Sequence, residues 1–274
     1  MLLSSADGPS HAPTRAALVA YLTSWADDEL ILGHRDSEWT GVAPQIEEDV
    51  AFSSIAQDEI GHAAMLYRIV AALTGDDPDR LALRRPAAAY RHAELVEMPK
   101  GDWAGTIARH YLYDLADSCR LEAARESSYA PLAHAARTMA REEHYHLMHD
   151  IAWWERLRDG TPESALRLAA AVRALLPLAV DVLCATPGDD LLVAAGILPR
   201  PAAATLGEWR WRVEEALAGD ATPGPAWLAS QRVDLVDLLE PAPHSKRERP
   251  VSAHFAALHG EMTSVSASGL GDKW

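Results

Sequence analysis

The arrangement of apolar and polar residues predicts helices along almost the whole chain. Apolar side chains recur at intervals of three and four, as at Leu18, Leu22 and Trp25, which is the spacing of one face of an α-helix. The strict alternation that is typical of strands is hard to find. We therefore predict an all-α protein.

Breaks in this pattern divide the chain into helices and connections. Four long helices are predicted at about 14–35, 47–73, 102–125 and 131–158, with Asp102 as the N-cap of the third. The connector between the second and third, with a possible short helix around 87–96, is long enough to cross a bundle. Two helical hairpins joined by such a crossover predict a ferritin-like four-helix bundle.

The remaining chain extends this bundle. Further helices are predicted at about 162–183, 201–218, 227–239 and 251–262, and residues 264–274 are expected to form an extended arm. We expect one domain over 1–274, with the core bundle at about 14–158, a helical extension at about 162–262 and flexible ends that include residues 1–12.

Composition narrows the class of partner. The chain has 274 residues, 49% of them hydrophobic, with a formal net charge of −15, which disfavours nucleic acid as a partner. No apolar run approaches the roughly 18 residues of a membrane span, and the N-terminus lacks the order of a signal peptide. With two cysteines only, we predict a cytoplasmic protein without a disulfide framework.

Two copies of the motif Glu-x-x-His stand in the second and fourth predicted helices. They are Glu59 with His62 and Glu143 with His146. Residues three apart share a helix face, so each helix directs one carboxylate and one imidazole into the same interior space. An acidic residue, Asp58 or Glu142, precedes each copy, and a carboxylate of this kind often fixes the tautomer of a metal-ligating histidine.

The other two long helices supply one carboxylate each. Residues equidistant from the turn of an antiparallel pair lie at the same height, and the midpoint of Glu29 and Glu59 falls at Pro44, in the predicted turn. Glu29 is therefore expected to meet Glu59 rather than solvent. In the second hairpin the midpoint with Glu143 falls in the predicted turn for both Asp114 and Asp117. We prefer Asp114 as the ligand, because its separation from Glu143 nearly repeats that of Glu29 and Glu59. Asp117 is then expected to lie beside the ligands without binding the metal.

These residues predict a site for two iron ions. The expected ligands are Glu29, Glu59, His62, Asp114, Glu143 and His146, with Asp58, Glu142 and Asp117 around them. This oxygen-rich set suits iron, with manganese as an alternative. No Gly-rich motif for a flavin or nicotinamide is found, so no tightly bound organic cofactor is expected.

Two further features are expected to have no functional role. His149 is expected to be a polar residue satisfied near the bundle end rather than a third imidazole of the site. Lys246, Arg247 and Arg249 form a basic cluster that we expect to be a solvated loop, with the phosphates of coenzyme A as an alternative contact.

With these residues in view, the sequence resembles the phenylacetic acid catabolic proteins, the di-iron oxygenase subunits of the phenylacetyl-CoA epoxidase complex, and most closely the C-type subunit. The likeness covers most of the chain. It is carried by Asp27-Asp28-Glu29-Leu30-Ile31-Leu32-Gly33-His34-Arg35, Ser37-Glu38-Trp39, Glu47-Glu48-Asp49, Ile55-Ala56-Gln57-Asp58 and Ala256-Ala257-Leu258-His259-Gly260-Glu261-Met262.

The resemblance implies an oxygenase that uses O2, an acyl-CoA substrate, a separate reductase, and a partner that is a second copy (a dimer) or a related subunit. In that family the A-type subunit is catalytic, whereas some C-type subunits have lost the ligands and serve as structural partners; this chain keeps all six. A di-iron epoxidase subunit is the first hypothesis. A non-catalytic scaffold is the second, and a ferroxidase-like iron protein on the same fold is the third.

Overall fold

The computed structural model describes residues 8–218 and 247–268, and this part of the chain is helical and without strands. Its α-helices are α1 (Ala12–Ser37), α2 (Ile46–Thr74), α3 (Pro78–Leu83), α4 (Glu94–Glu97), α5 (Trp103–Ala124), α6 (Ala130–Asp159), α7 (Pro162–Ala179), α8 (Asp189–Ala194), α9 (Ala202–Ala218), α10 (Ala253–Met262) and α11 (Ser264–Ala267). Single 3-10 turns occupy Ala87–Ala89 and Val180–Leu183.

The four long helices form two antiparallel hairpins. In the first, Tyr67 of α2 donates a hydrogen bond to Asp27 of α1. In the second, Tyr111 of α5 stacks on Trp154 of α6 with ring centroids 4.5 Å apart. Helices α2 and α6 also pack against each other, and the chain from α3 to α4 crosses between the hairpins. The predicted all-α, ferritin-like bundle is therefore confirmed.

Local signals place the helix ends. The side chain of Asp102 accepts a hydrogen bond from the Gly105 amide at 2.9 Å, so it caps α5 as predicted. Gly75, with a φ of 80°, ends α2 in the left-handed conformation that glycine adopts without strain.

The first helix, predicted to end at about residue 35, ends at Ser37, so Gly33 lies inside it. At Gly33 the two helices of the first hairpin approach closely. A Cβ atom at this position would lie 2.9 Å from Ile60 Cγ1 and 3.0 Å from both the Ala56 carbonyl oxygen and Glu59 Cβ. This glycine therefore allows close helix packing beside Glu59, and it does not terminate the helix.

We expect Gly33→Ala to destabilise the protein by about 1–3 kcal/mol, the usual cost of overpacking a close contact. The matched control is Gly207→Ala in α9, where an added Cβ meets nothing within 4 Å. That change is expected to add about 0.5–1 kcal/mol, because alanine is the better helix former. Urea unfolding of both variants measures the difference; equal stability of Gly33→Ala and the wild type would contradict the close approach.

Other boundaries also differ from expectation. The predicted short helix at 87–96 divides into a 3-10 turn and α4, whereas α3 and α8 were not predicted. Residues 264–267 are helical, so the extended arm is wrong there. The predicted helix at 227–239 lies outside the described residues, as do residues 1–7 and 269–274.

The C-terminal helices pack on the bundle rather than apart from it. Helices α7 and α9 contact α5. Trp209 of α9 is fully buried and its indole N–H donates to the Leu112 carbonyl at 3.2 Å. Phe255 of α10 packs against Tyr90 and His92 of the crossover. Among the described residues, no helix has both the length and the hydrophobicity that crossing a membrane requires.

Candidate metal centre

The six predicted ligands converge inside the bundle. Glu29 comes from α1, Glu59 and His62 from α2, Asp114 from α5, and Glu143 and His146 from α6, and each is at most 3% exposed. Ligand atoms of Glu29, Glu59, His62 and Glu143 all lie within 4.8 Å of one another, and so do those of Asp114, Glu143 and His146. Glu143 belongs to both groups and joins them into one site.

Both imidazoles point their Nδ1 atoms at shared carboxylates. His62 Nδ1 lies 3.2 Å from Glu143 Oε1 and 3.8 Å from Glu59 Oε2. His146 Nδ1 lies 3.5 Å from Glu143 Oε1 and 3.5 Å from Glu59 Oε1. Glu59 and Glu143 therefore each face both histidines, the position of a carboxylate that bridges two cations.

The outer nitrogens of the two histidines bind carboxylates in a crossed pattern. His62 Nε2 lies 2.8 Å from Glu142, and His146 Nε2 lies 3.3 Å from Asp58. Each acidic residue thus orients the histidine of the opposite helix, whereas the sequence indicated only that such carboxylates lie nearby. With Nε2 donating to a carboxylate, Nδ1 is the lone-pair nitrogen that is free to bind a cation.

Glu29 presents one oxygen to the site. Its Oε1 accepts hydrogen bonds from Trp25 at 2.7 Å, Tyr113 at 2.9 Å and Arg120 at 3.3 Å. Its Oε2 lies 3.6 Å from His62 Nδ1 and has no hydrogen-bond partner. Glu29 is therefore fixed in a position from which a single oxygen is available as a ligand.

The structure also separates Asp114 from Asp117. Asp114 lies with Glu143 and His146. Asp117 accepts a hydrogen bond from Arg120 Nε at 2.8 Å, and it lies in none of the potential ligand groups of the described residues. Because Arg120 also contacts Glu29, Asp117 acts on the site through this arginine. The geometry favours Asp114 as the ligand.

The buried atoms that face the interior have no protein partners. Glu59, Asp114 and Glu143 each have two carboxylate oxygens without a hydrogen bond, and the Nδ1 atoms of both histidines also have none. Buried polar groups are costly when they are unsatisfied. Four carboxylates balance the charge of two divalent cations, and this donor set of carboxylates with one imidazole per cation fits iron or manganese.

Burial and neighbouring groups shift the pKa values of the cluster in different directions. Burial opposes ionisation of Glu143, but the nearby imidazoles of His146 and His62 lower its pKa. Although burial also disfavours the imidazolium, contacts to Glu143 and Glu29 hold the pKa of His62 well above its usual value, and contacts to Asp58 and Glu143 do the same for His146. Burial and the charge of Glu143 raise the pKa of Glu59.

Cation binding is therefore expected to release about two to four protons per chain, because His62, His146, Glu59 and Asp114 must lose theirs to act as ligands. All four have a raised pKa, so the affinity for the cation rises as pH rises and falls as pH falls. Calorimetric titration with Mn²⁺ in buffers of different ionisation enthalpy counts the protons. A heat that is independent of the buffer would contradict this expectation.

A buried acidic triplet connects the site to the rest of the fold. Asp27, Asp28 and Glu29 are consecutive and fully buried. Asp27 pairs with Arg85, and Asp28 pairs with Arg247 at 2.8 Å and with Arg120 at 3.4 Å. Three successive helix positions point in different directions, so α1 is enclosed on several sides at this level.

The expectation of a solvated basic loop is wrong for Arg247 and Arg249. Besides its pair with Asp28, the buried Arg247 donates to main-chain carbonyls of Ser24, Arg91 and Val182. Arg249 is bound to Glu97 at 2.9 Å. Both guanidinium groups hold the chain after residue 246 against the bundle. A cluster of basic residues in the sequence does not by itself indicate such contacts. Lys246 lies outside the described residues.

The sequence did not lead us to two further residues beside the site, His110 and Asp150. His110 and Asp150 form a third potential ligand group with Asp114. The signal was present, because His110 lies four positions before Asp114 and Asp150 four positions after His146, on the same helix faces. His149 hydrogen-bonds to Glu48 at 2.6 Å, in agreement with its expected role as a satisfied polar residue.

Two helical hairpins joined by a crossover, with carboxylates and two Glu-x-x-His motifs directed inward, define the ferritin-like class of carboxylate–histidine bundle proteins. Within that class the chain belongs to the phenylacetic acid catabolic protein family, whose model matches residues 4–222. It is similar to the C subunit of 1,2-phenylacetyl-CoA epoxidase from Escherichia coli (strain K12), with 34% identity over 185 residues that cover 67% of this chain and 75% of the relative. The predicted resemblance is confirmed.

Proposed function

We propose that the chain is a di-iron carboxylate subunit of a phenylacetyl-CoA epoxidase complex that acts in phenylacetate degradation. The observation that carries this proposal is the complete set of six buried ligands with unpartnered atoms aimed at one another. The family and the relative support the substrate class. The electrons come from a separate reductase.

Each residue has a separate part in this proposal. Glu59 and Glu143 would be shared by the two irons, because each faces both histidines. Glu29 and His62 would hold one iron, and Asp114 and His146 would hold the other. When bound, ferrous iron would supply electrons for the reductive activation of O2. Trp25, Tyr113 and Arg120 hold Glu29, and burial of the cluster excludes bulk water from the reacting atoms.

A scaffolding role is the second candidate, and two observations favour it. The Escherichia coli relative is itself the C subunit of its epoxidase. In addition, Tyr145, Met148 and Ile151 are exposed at spacings of three along α6, which gives this helix an apolar outer face. A face of this kind fits another subunit or a second copy of this chain.

Glu59→Gln and His62→Gln, tested in the assembled complex with its reductase, separate the two roles. If this chain is catalytic, each change lowers epoxide formation from phenylacetyl-CoA by about 100-fold or more, since a lost ligand costs at least as much as a lost outer partner. The control is His144→Gln, an exposed residue beside the second motif. Size-exclusion chromatography verifies assembly; unchanged epoxide formation by fully assembled complexes would establish the scaffold and refute the catalytic role.

A further inference from the structure

A second group of potential ligands lies beside the proposed di-iron site, on the α5 and α6 side. His110, Asp114 and Asp150 offer ligand atoms that all lie within 4.8 Å of one another. All three side chains are fully buried. His110 Nδ1 and both oxygens of Asp150 have no hydrogen-bond partner, and the same holds for both oxygens of Asp114. Each of the three residues therefore offers an unpartnered ligand atom to this group.

The histidine of this group is oriented in the same way as the two predicted ligands. His110 Nε2 lies 2.7 Å from Asp36 Oδ1, which leaves Nδ1 as the inward nitrogen. Arg109 lies 3.5 Å from the same carboxylate oxygen and holds it in place. Metal-ligating histidines usually have this arrangement, in which one ring nitrogen binds the metal and the other is hydrogen-bonded to a carboxylate.

We propose that His110, Asp150 and Asp114 form a third cation site, for a divalent transition-metal ion. Asp114 belongs both to this group and to the group with Glu143 and His146, and it has two unpartnered oxygens, one for each position. One imidazole and two carboxylates suit Mn²⁺, Fe²⁺, Co²⁺ or Zn²⁺ better than Mg²⁺ or Ca²⁺, which prefer ligand sets made entirely of oxygen.

One buried histidine that is bound to a carboxylate is not enough to form such a site, as His92 illustrates. His92 is also buried, its Nε2 lies 2.6 Å from Glu97, and its Nδ1 has no partner. It belongs, however, to none of the ligand groups found among residues 8–218 and 247–268. His110 differs by facing two unpartnered carboxylates. A cation between them neutralises two adjacent buried charges, which His92 does not require.

Polar side chains connect this position with the surface. Asp150 Oδ1 lies 3.6 Å from His149 Nδ1, and His149 Nε2 contacts Glu48 at 2.6 Å. The His149 side chain is 18% exposed. Polar groups thus extend from the partly exposed His149 through Asp150 to Asp114, so the third site lies between solvent and the proposed di-iron site. This placement suits a staging position for an incoming cation.

Equilibrium dialysis of the full-length protein against Co²⁺, followed by elemental analysis, tests the proposal. The wild type is expected to bind about three ions per chain and Asp150→Asn about two. His92→Gln is the matched control and is expected to retain about three. An Asp150→Asn variant that binds as many ions as the wild type would overturn the third site. A wild type that binds one ion, which Asp150→Asn loses, would keep the third site and refute the di-iron proposal instead.

Anomalous diffraction from wild-type crystals soaked in Co²⁺ gives a second test that does not depend on the folding of a variant. A peak bound by His110 Nδ1 and Asp150, separate from peaks beside His62 and His146, is expected. Peaks beside His62 and His146 alone would refute the third site and leave the proposed function intact. A peak at His110 alone would refute the di-iron proposal and support the third site.

Discussion

Glu143→Gln is expected to abolish high-affinity binding at both positions of the proposed di-iron site while the helical fold persists. Glu143 belongs to both ligand groups, and its Oε1 lies 3.2 Å from His62 Nδ1 and 3.5 Å from His146 Nδ1. Glutamine has nearly the same shape but lacks the charge that a bridging ligand contributes. The affinity for Mn²⁺ should fall by at least about 100-fold at each position.

The same variant has a readout that needs no metal. Contacts to Glu143 contribute to the raised pKa of both His62 and His146, against the opposing effect of burial. Removing the charge should therefore lower the pKa of both imidazoles, which NMR titration of the histidine ring protons detects. Burial of a neutral amide in place of the carboxylate leaves the helix packing in place, so circular dichroism should be unchanged.

Glu97→Gln is the matched control for this experiment. Glu97 is also a buried glutamate bound to a histidine, His92 at 2.6 Å, but it lies in the crossover beside Arg249. Its replacement should leave Mn²⁺ binding unaltered. If Glu143→Gln retained two tightly bound ions, the bridging assignment would be wrong.

Arg247→Met is expected to lower the free energy of unfolding by about 3–5 kcal/mol, the usual cost of removing one partner of a buried ion pair. Arg247 is buried, and its Nη2 lies 2.8 Å from Asp28 Oδ2. Its loss leaves Asp28 with Arg120 at 3.4 Å and the Ala93 amide at 2.7 Å. Three main-chain carbonyls lose a donor as well.

The double variant Asp28→Asn/Arg247→Met separates the charge from the packing. If an uncompensated Asp28 carboxylate causes most of the loss, the double variant should be more stable than Arg247→Met alone. Arg167→Met serves as the control, because its pairs with Glu163 and Asp102 are exposed to solvent and contribute little to stability. Urea unfolding measures all three variants. If Arg247→Met lowered the free energy of unfolding by less than Arg167→Met does, Arg247 would not hold the C-terminal segment as described.

The positions of the ligands follow from helical periodicity, but the contacts that orient these ligands do not. The spacing within Glu-x-x-His directs Glu59 and His62 to one face, and the symmetry of a hairpin brings Glu29 to the same height. These relations depend only on sequence distance. The crossed contacts of Asp58 and Glu142 depend on how α2 and α6 pack, and no spacing along the chain contains that information.

Arg120 and Arg247 illustrate the same limit for charged residues. Composition rules place arginine at the surface, yet both side chains are buried because Asp28 offers a buried charge from a distant part of the sequence. Gly33 illustrates the same limit, because a glycine that ends a helix and one that admits a neighbouring helix look identical until the neighbour is placed.

The enclosure of Asp27, Asp28 and Glu29 has a consequence for the local opening of this protein. An opening of α1 at this level would have to separate Asp27 from Arg85, Asp28 from Arg247 and Glu29 from Arg120 in one event. Such an opening costs nearly as much as unfolding the whole bundle, so the amide protons of this turn should exchange with deuterium only through global unfolding. The hairpin that carries Glu29 then forms the slowest-exchanging part of the molecule.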